Sequence, residues 1–256
     1  MTAYLVVVAV VYGLLIGSFV NAWAYRLPLG ISIVHGRSFC PRCHAQIRAY
    51  DNIPVVSWIL LRGRCRACGQ PISVRYPAVE ALTAALFGLV AAVDGASWML
   101  APHLLLVAAL VLVSEVDFEA RIIPDVVILP TAAIGVALML VLRPQHWLEW
   151  PASGLGAAAF LFVVSWVYEK VRGVTGMGMG DVKMALCMGF FLGVAVVPAL
   201  FVAFLAGAVI GVAVVARGGG GKTAIPFGPF LAAGALVGLF VGHPAVDLYL
   251  RMVLGR

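Results

Sequence analysis

Apolar residues occur along this chain in long unbroken runs, neither alternating with polar ones nor confined to one-sided helical stripes. Several runs reach about 16 to 22 residues with almost no charge, enough to cross a hydrocarbon layer as helices. They lie near Tyr4–Tyr25, Pro77–Val93, Trp98–Val116, Val126–Leu142, Ser153–Tyr168, Met184–Val197, Ala199–Ala216 and Phe227–Val241. The pattern predicts an all-α polytopic membrane protein of about eight transmembrane helices. The sixth run is short and its join to the seventh falls at Pro198, so six to eight helices suit the pattern equally. Strands of a membrane barrel would alternate apolar and polar positions, and these runs do not.

Composition strengthens this reading. The chain is 63% hydrophobic and 11% charged, with a mean hydropathy of +1.07. A soluble domain of similar size carries about 25% charged residues. Placement of the basic residues sets an orientation. With residue 1 outside, the inner loops collect the arginines from Arg26 to Arg75, then Arg121, Lys170, Arg172, Lys183, Arg217 and Lys222, leaving only Arg143, Arg251 and Arg256 outside. That asymmetry follows the positive-inside rule. The net charge of +6 is thereby explained by loop placement, with anionic membrane lipid as the partner and no nucleic acid. The first run has no basic residue before it and Arg26 after it, which predicts a retained anchor rather than a cleaved signal.

One hydrophilic stretch interrupts the pattern, from Arg26 to Tyr76, with many arginines against a single Asp51. It holds Cys40-Pro41-Arg42-Cys43 and, further on, Cys65-Arg66-Ala67-Cys68-Gly69. Each Cys-x-x-Cys turn presents two thiolates on one side, and two such turns complete the tetrahedral sulfur site that zinc accepts. The repeat extends beyond the cysteines: Ile47 follows Cys43 as Ile72 follows Cys68, as if each turn lays one Ile on a shared core. A segment this small gains much of its stability from a metal crosslink. Disulfides are the alternative, disfavoured on the reducing side of the membrane. Four thiolates leave zinc no open position, so its role is structural. Cys187, within an apolar run, reads as a small buried apolar residue.

Acidic residues beside membrane spans are costly and each needs a reason. Asp117 falls at the inner end of the third run, before Arg121-Ile122-Ile123-Pro124-Asp125. Asp181 precedes the sixth run, in Gly176-Met177-Gly178-Met179-Gly180-Asp181-Val182-Lys183. The predicted topology puts both at one depth on one face. Two such carboxylates share a proton, one activating water while the other donates to a scissile carbonyl. The alternate glycines are expected to take conformations closed to other residues and to leave room for an extended peptide. Taken singly, Asp181 reads as a helix cap and Asp117 as the partner of Arg121. Glu115 and Glu119 turn away from Asp117 as headgroup-level charges, Asp125 follows Pro124 as a cap for the fourth span, and Glu80, a turn into the second span, needs a partner such as Arg75 or a bound ligand and reads first as a satisfied structural carboxylate.

Together these residues resemble the type IV prepilin peptidases, membrane aspartic proteases of the Gly-x-Gly-Asp class. The resemblance runs from Gly17-Ser18-Phe19-Val20-Asn21 and Arg26-Leu27-Pro28 through Gly36-Arg37-Ser38, Asn52-Ile53-Pro54, Ser57-Trp58 and both Cys pairs. It continues through Ile72-Ser73, Arg75-Tyr76-Pro77 and Glu80 to Asp117, Pro124-Asp125 and Gly178-Met179-Gly180-Asp181-Val182-Lys183. It implies a bacterial inner-membrane enzyme that removes a short basic leader from prepilins or pseudopilins, after a Gly and commonly before a Phe. Asp117 and Asp181 are the implied catalytic pair. The resemblance further implies N-methylation of the new amino terminus from S-adenosylmethionine, with Glu80 a candidate for that activity. Among the acids near the cut, Glu115, Glu119 and Glu169 are expected to face the basic leader. Three parts are expected: residues 1–25 as a first transmembrane helix, 26–76 as a cytoplasmic metal-binding insert, and 77–256 as a transmembrane peptidase domain. A proton-conducting transporter would place polar groups at mid-span, where these runs are apolar, and a non-enzymatic scaffold would leave the Asp181 loop without a task.

Overall fold

The computed structural model describes residues 2–33, 37–174, 176–217 and 225–254. Met1, Gly36, Lys222 and Arg256, used above for topology and resemblance, lie outside the described residues. Without water, a backbone must satisfy its own N–H and C=O groups, and an apolar run does so as a helix. The described helices are α1 (Thr2–Arg26), α2 (Val56–Leu60), α3 (Arg75–Asp94), α4 (Leu100–Ala120), α5 (Asp125–Leu142), α6 (Glu149–Arg172), α7 (Met179–Leu192), α8 (Val196–Ala216), α9 (Gly228–Val237) and α10 (His243–Leu254). Among the described residues β-structure is limited to two isolated bridges, Phe39 with Gln46 and Arg64 with Pro71. Among the described residues, seven helical stretches are long and apolar enough to cross a membrane. The all-α polytopic expectation is borne out.

The longest stretch, Met179–Ala216, spans 38 residues and contains the sixth and seventh expected runs. It divides at Gly193 (φ 57°, ψ −137°), not at Pro198. Proline is tolerated in a first helical turn, where Pro198 sits in α8, whereas the backbone at Gly193 is open only to glycine. Gly234, Gly238 and Gly242 pack in turn on Ala203, Ala199 and Ala195, so the chain from α9 onward runs antiparallel to α8. Gly238 also meets Leu192 at the end of α7. Small residues let these backbones approach closely without a hydrophobic drive between helices.

Contacts divide the chain into two compact units, Met1–Leu100 and Ala101–Arg256. In the first, α1 and α3 lie antiparallel. A Cβ on Gly13 would stand 2.6 Å from Ala84 Cα, and one on Gly17 would stand 2.7 Å from Glu80 Cα. The polar insert, including α2, connects them. In the second unit Met184, Met188, Ala199 and Leu231 are fully buried, while Val197, Phe201, Val209 and Val212 are exposed along α8. A helix apolar on both its packed and its open face suits a lipid surround. Beyond the eighth expected run, α10 carries Asp247 and Arg251 among apolar residues.

Candidate active site and metal centre

The end of α4 sets the position of Asp117. Arg121 takes φ +55°, and its N–H closes on the Asp117 carbonyl oxygen at 3.0 Å. Asp117 is left in the last turn, only 5% exposed. Its Oδ2 accepts the Gly228 N–H at 2.9 Å. Gly228 opens α9, so this N–H belongs to the set that a helix start leaves without an internal partner, and the helix dipole favours an anion there. The carboxylate is therefore partnered by the start of α9 and not by Arg121. Sequence reasoning missed Gly228. Its signal was Pro226-Phe227-Gly228-Pro229, a turn-and-start pattern opening the last apolar run.

Asp181 stands in the first turn of α7, 9% exposed. Its Oδ2 accepts the N–H of Gly178, the N-cap, at 3.1 Å. The capping role expected for it is thus real, and it leaves the group buried beside the other acid. The glycines behave differently from expectation. None of Gly176, Gly178 and Gly180 has a positive φ, so conformational freedom is not their use. A Cβ on Gly180 would stand 2.8 Å from Ile123 Cβ, whereas one on Gly178 would meet nothing nearer than Oδ2 of Asp181, 3.6 Å away. Gly180 allows close packing and Gly178 leaves room.

Two contacts join the Asp117 segment to the Asp181 segment. Ile123 packs on Gly180, and Lys183 Nζ donates to both oxygens of Asp125 at 2.7 Å. Asp125 begins α5 with Pro124 as its N-cap, so it acts as an ion-pair partner instead of the side-chain cap expected. Asp117 lies within electrostatic reach of Asp181. The structure places both predicted acids, buried, in the same unit, where charges on neighbouring carboxylates oppose one another. Glu115 is half-buried, and Glu119 and Glu169 are exposed.

The four insert cysteines also converge. Their sulfurs all lie within 4.8 Å of one another, with Cys40 Sγ and Cys68 Sγ 4.0 Å apart. Zinc bonds of about 2.3 Å in a tetrahedron place sulfurs about 3.8 Å apart, so the donor set fits that ion. The two halves repeat bond for bond. Cys40 N–H donates to Ala45 and Ile47 N–H to Ser38, as Cys65 N–H donates to Gln70 and Ile72 N–H to Gly63. Each turn closes with a positive φ, at His44 and at Gly69. N–H groups of Cys68 and Ala67 hold the Cys65 thiol down at about 7. Cys68, despite the Gln70 N–H, is pushed up to about 11 by desolvation and the neighbouring sulfurs, a crowding that a divalent cation relieves. Ile47 and Ile72 are half-buried and line one cavity rather than a closed core. Cys187 is buried, as expected.

Glu80 is 8% exposed. Its Oε2 accepts the Val55 N–H at 2.7 Å, and the Ser18 side chain bonds it as well. Those partners, not Arg75, satisfy it.

Known proteins align in sequence with this chain over nearly its whole length. Residues 11–93 match the Bacterial Peptidase A24 N-terminal domain, and residues 104–214 match the Type IV leader peptidase family. A prepilin leader peptidase/N-methyltransferase of Pseudomonas putida is 36% identical over 94% of this chain and 92% of that protein. One from Burkholderia pseudomallei (strain K96243) is 34% identical over 92% and 85%, and one from Bacillus subtilis (strain 168) is 33% identical over 96% and 98%. No solved structure matches the chain at a significant level. Seven apolar helices and these relatives mark a multi-pass membrane protein, and the chain belongs to the type IV leader peptidase family, among its prepilin leader peptidase/N-methyltransferases.

Proposed function

We propose that this chain removes the basic leader from type IV prepilins or pseudopilins at the cytoplasmic membrane face, with Asp117 and Asp181 as its working acids. The observation that supports the proposal is that these two carboxylates are buried in one unit within electrostatic reach of each other, in a member of the type IV leader peptidase family. One carboxylate takes a proton from water as the water attacks the scissile carbonyl. The other, protonated, donates to the carbonyl oxygen; as the carbon–nitrogen bond breaks, the first acid passes the proton it took from water to the leaving amine and the second recovers its own from the tetrahedral hydroxyl. No covalent intermediate is needed. Room beside Gly178 supports approach of an extended substrate segment.

Basic residues at the ends of these helices support the cytoplasmic placement: Lys170 and Arg172 close α6, and Arg121 follows α4. A prepilin that threads its apolar helix through the bilayer presents its cut site at that interface. The new amino terminus is then N-methylated, with S-adenosylmethionine supplying the methyl group. Zinc held by Cys40, Cys43, Cys65 and Cys68 serves the insert structurally. In the proposed division of labour, residues 1–25 anchor, 26–76 carry the metal and 77–256 carry the peptidase.

The test is incubation of the purified protein with a model prepilin and S-adenosylmethionine, followed by mass measurement of the products. The expected products are the free leader and a mature chain heavier by one methyl group. Asp117→Asn and Asp181→Asn should each abolish leader removal while leaving the protein folded. A normal cleavage rate in either variant removes that residue from the mechanism.

A further inference from the structure

The two acids proposed above stand on separate helices of one unit, Ala101–Arg256. Asp117 lies in the last turn of α4 and Asp181 in the first turn of α7, so neither helix alone fixes one acid against the other. We propose that Lys183 and Asp125 form an ionic clamp that sets the spacing of the two acids, with Lys183 a positioning residue for leader removal. The inference rests on the reading of Asp117 and Asp181 as the working pair and adds how that pair is held.

One end of the clamp controls Asp181. Lys183 Nζ donates to both Asp125 oxygens at 2.7 Å, joining positions 58 residues apart. Reaching both oxygens centres the ammonium on the carboxylate and leaves it little play. Successive helix residues turn by about 100°, so Lys183, two positions beyond Asp181, leaves α7 on nearly the opposite side. The lysine faces the start of α5 while Asp181 is buried. It therefore holds the first turn of α7 from the side away from the acid it places.

The other end controls Asp117. Asp125 is the first residue of α5, and only the link of residues 121–124 separates it from α4. That link is tight, because Arg121 takes φ +55° and closes its N–H on the Asp117 carbonyl oxygen at 3.0 Å. A non-glycine residue keeps such a backbone only where its surroundings over-determine it. A shift of Asp125 is therefore passed to the turn that carries Asp117. Ile123, within the link, packs on Gly180 beside Asp181. The apolar contact sets how closely link and helix approach, and the ion pair sets how α7 is turned against it. Folding gains little from this pair: Lys183 and Asp125 are 31% and 55% exposed at the side chain, and an ion pair open to water adds little stability. Catalysis is the more sensitive quantity, since a misplacement of about 1 Å costs about 100-fold in rate.

The experiment follows leader removal from a model prepilin by the full chain in lipid nanodiscs, with kcat and KM separated and measured across pH. Lys183→Met and Asp125→Asn should each lower kcat about tenfold. The double variant should fall no further, because each substitution breaks the same contact. Lys183→Arg keeps the charge and can grip both oxygens, so its kcat should stay within about threefold of the unsubstituted value. Melting should move by less than about 4 °C, and the pH profile of kcat should keep its limbs. A Lys183→Met kcat within about twofold of the unsubstituted value, or additive losses in the double variant, overturns the clamp. So does a loss confined to KM and to Lys183→Met, which marks contact with substrate, or an acid limb shifted in that variant alone, which marks a direct charge effect on Asp181. Should Lys183→Met fail to fold, Asp125→Asn decides, since it removes the pair from its more exposed end. Asp181→Asn in the same assay separates the two readings. Normal cleavage there defeats the proposed acids, whereas an inert Asp181→Asn beside a normal Lys183→Met defeats only the clamp.

Discussion

The most exacting test of the proposed active site is one methyl group on Gly228. A Cβ built there stands 2.7 Å from Asp117 Oδ2, 3.2 Å from Cγ and 3.3 Å from Cβ. Separations below 3.0 Å are not sustained between such atoms, so in Gly228→Ala the Asp117 carboxylate must turn away. Turning loses the 2.9 Å bond from the Gly228 N–H. A hydrogen bond to a charged group contributes about 1.5–3 kcal/mol. If it holds the acid in its reactive position, leader removal should slow about 10- to 150-fold, each 1.36 kcal/mol being tenfold. The helix itself should not suffer, since alanine is the better helix former. Gly211→Ala is the control, because a Cβ there meets nothing within 4 Å. The assay is the turnover of a model prepilin by purified enzyme, with kcat and KM separated, beside thermal melting in the same detergent. The loss should fall on kcat, as it does when a transition-state group is misplaced. A Gly228→Ala enzyme within about twofold of the unsubstituted kcat would refute the claim that this N–H positions Asp117.

Other outcomes follow from other parts of the molecule. Cys40→Ser should lower bound zinc and expose the insert to protease; unchanged zinc content would exclude Cys40 as a ligand. Gly238→Val should destabilise the α8–α9 seam by about 1–3 kcal/mol, since its Cβ would stand 2.8 Å from Ala199 Cβ and 3.0 Å from the Ala195 carbonyl oxygen; an unchanged melting temperature would contradict that seam. The Arg66 guanidinium hydrogen-bonds Asp51 and holds its carboxyl below its ordinary 3.8. A depressed carboxylate stabilises above its unfolded value and loses that effect as pH falls through the folded one. Arg66→Ala should therefore loosen the insert to proteolysis near neutral pH and make no difference once Asp51 is protonated. A protease difference that persists in acid would show that Arg66 acts through packing.

Features legible in the sequence were those whose physics is local or periodic. An apolar run specifies a membrane helix by length alone, because lipid offers the backbone no other partner. The knuckle repeat was legible because each of its hydrogen bonds spans fewer than ten residues, so equal spacing in sequence becomes equal geometry. The break between α7 and α8 was misplaced because proline is the louder signal. Pro198 sits where its missing N–H is harmless, while Gly193 carries the positive φ that no pattern announces.

The acids show where local reading ends. Asp117 and Asp181 were singled out because charge beside a membrane span demands a reason, and topology alone puts them on one face. What secures each is less visible. Asp181 is held by a residue three positions away, within reach of a capping rule, but Asp117 is held by a backbone N–H 111 residues along the chain. That partner has no side chain and no charge, so nothing in its chemistry advertises the role. Gly228 is required by the space it leaves empty, and such a requirement appears only once α4 and α9 are brought side by side. The glycines before Asp181 follow the same logic. Their spacing suggests freedom for the backbone and room for a peptide, yet Gly180 is needed for the absence of a methyl group against Ile123. In a membrane bundle, where helices gain little from burying apolar surface against one another, close approach is itself the stabilising interaction, and positions that permit it can matter to the site as much as the acids do.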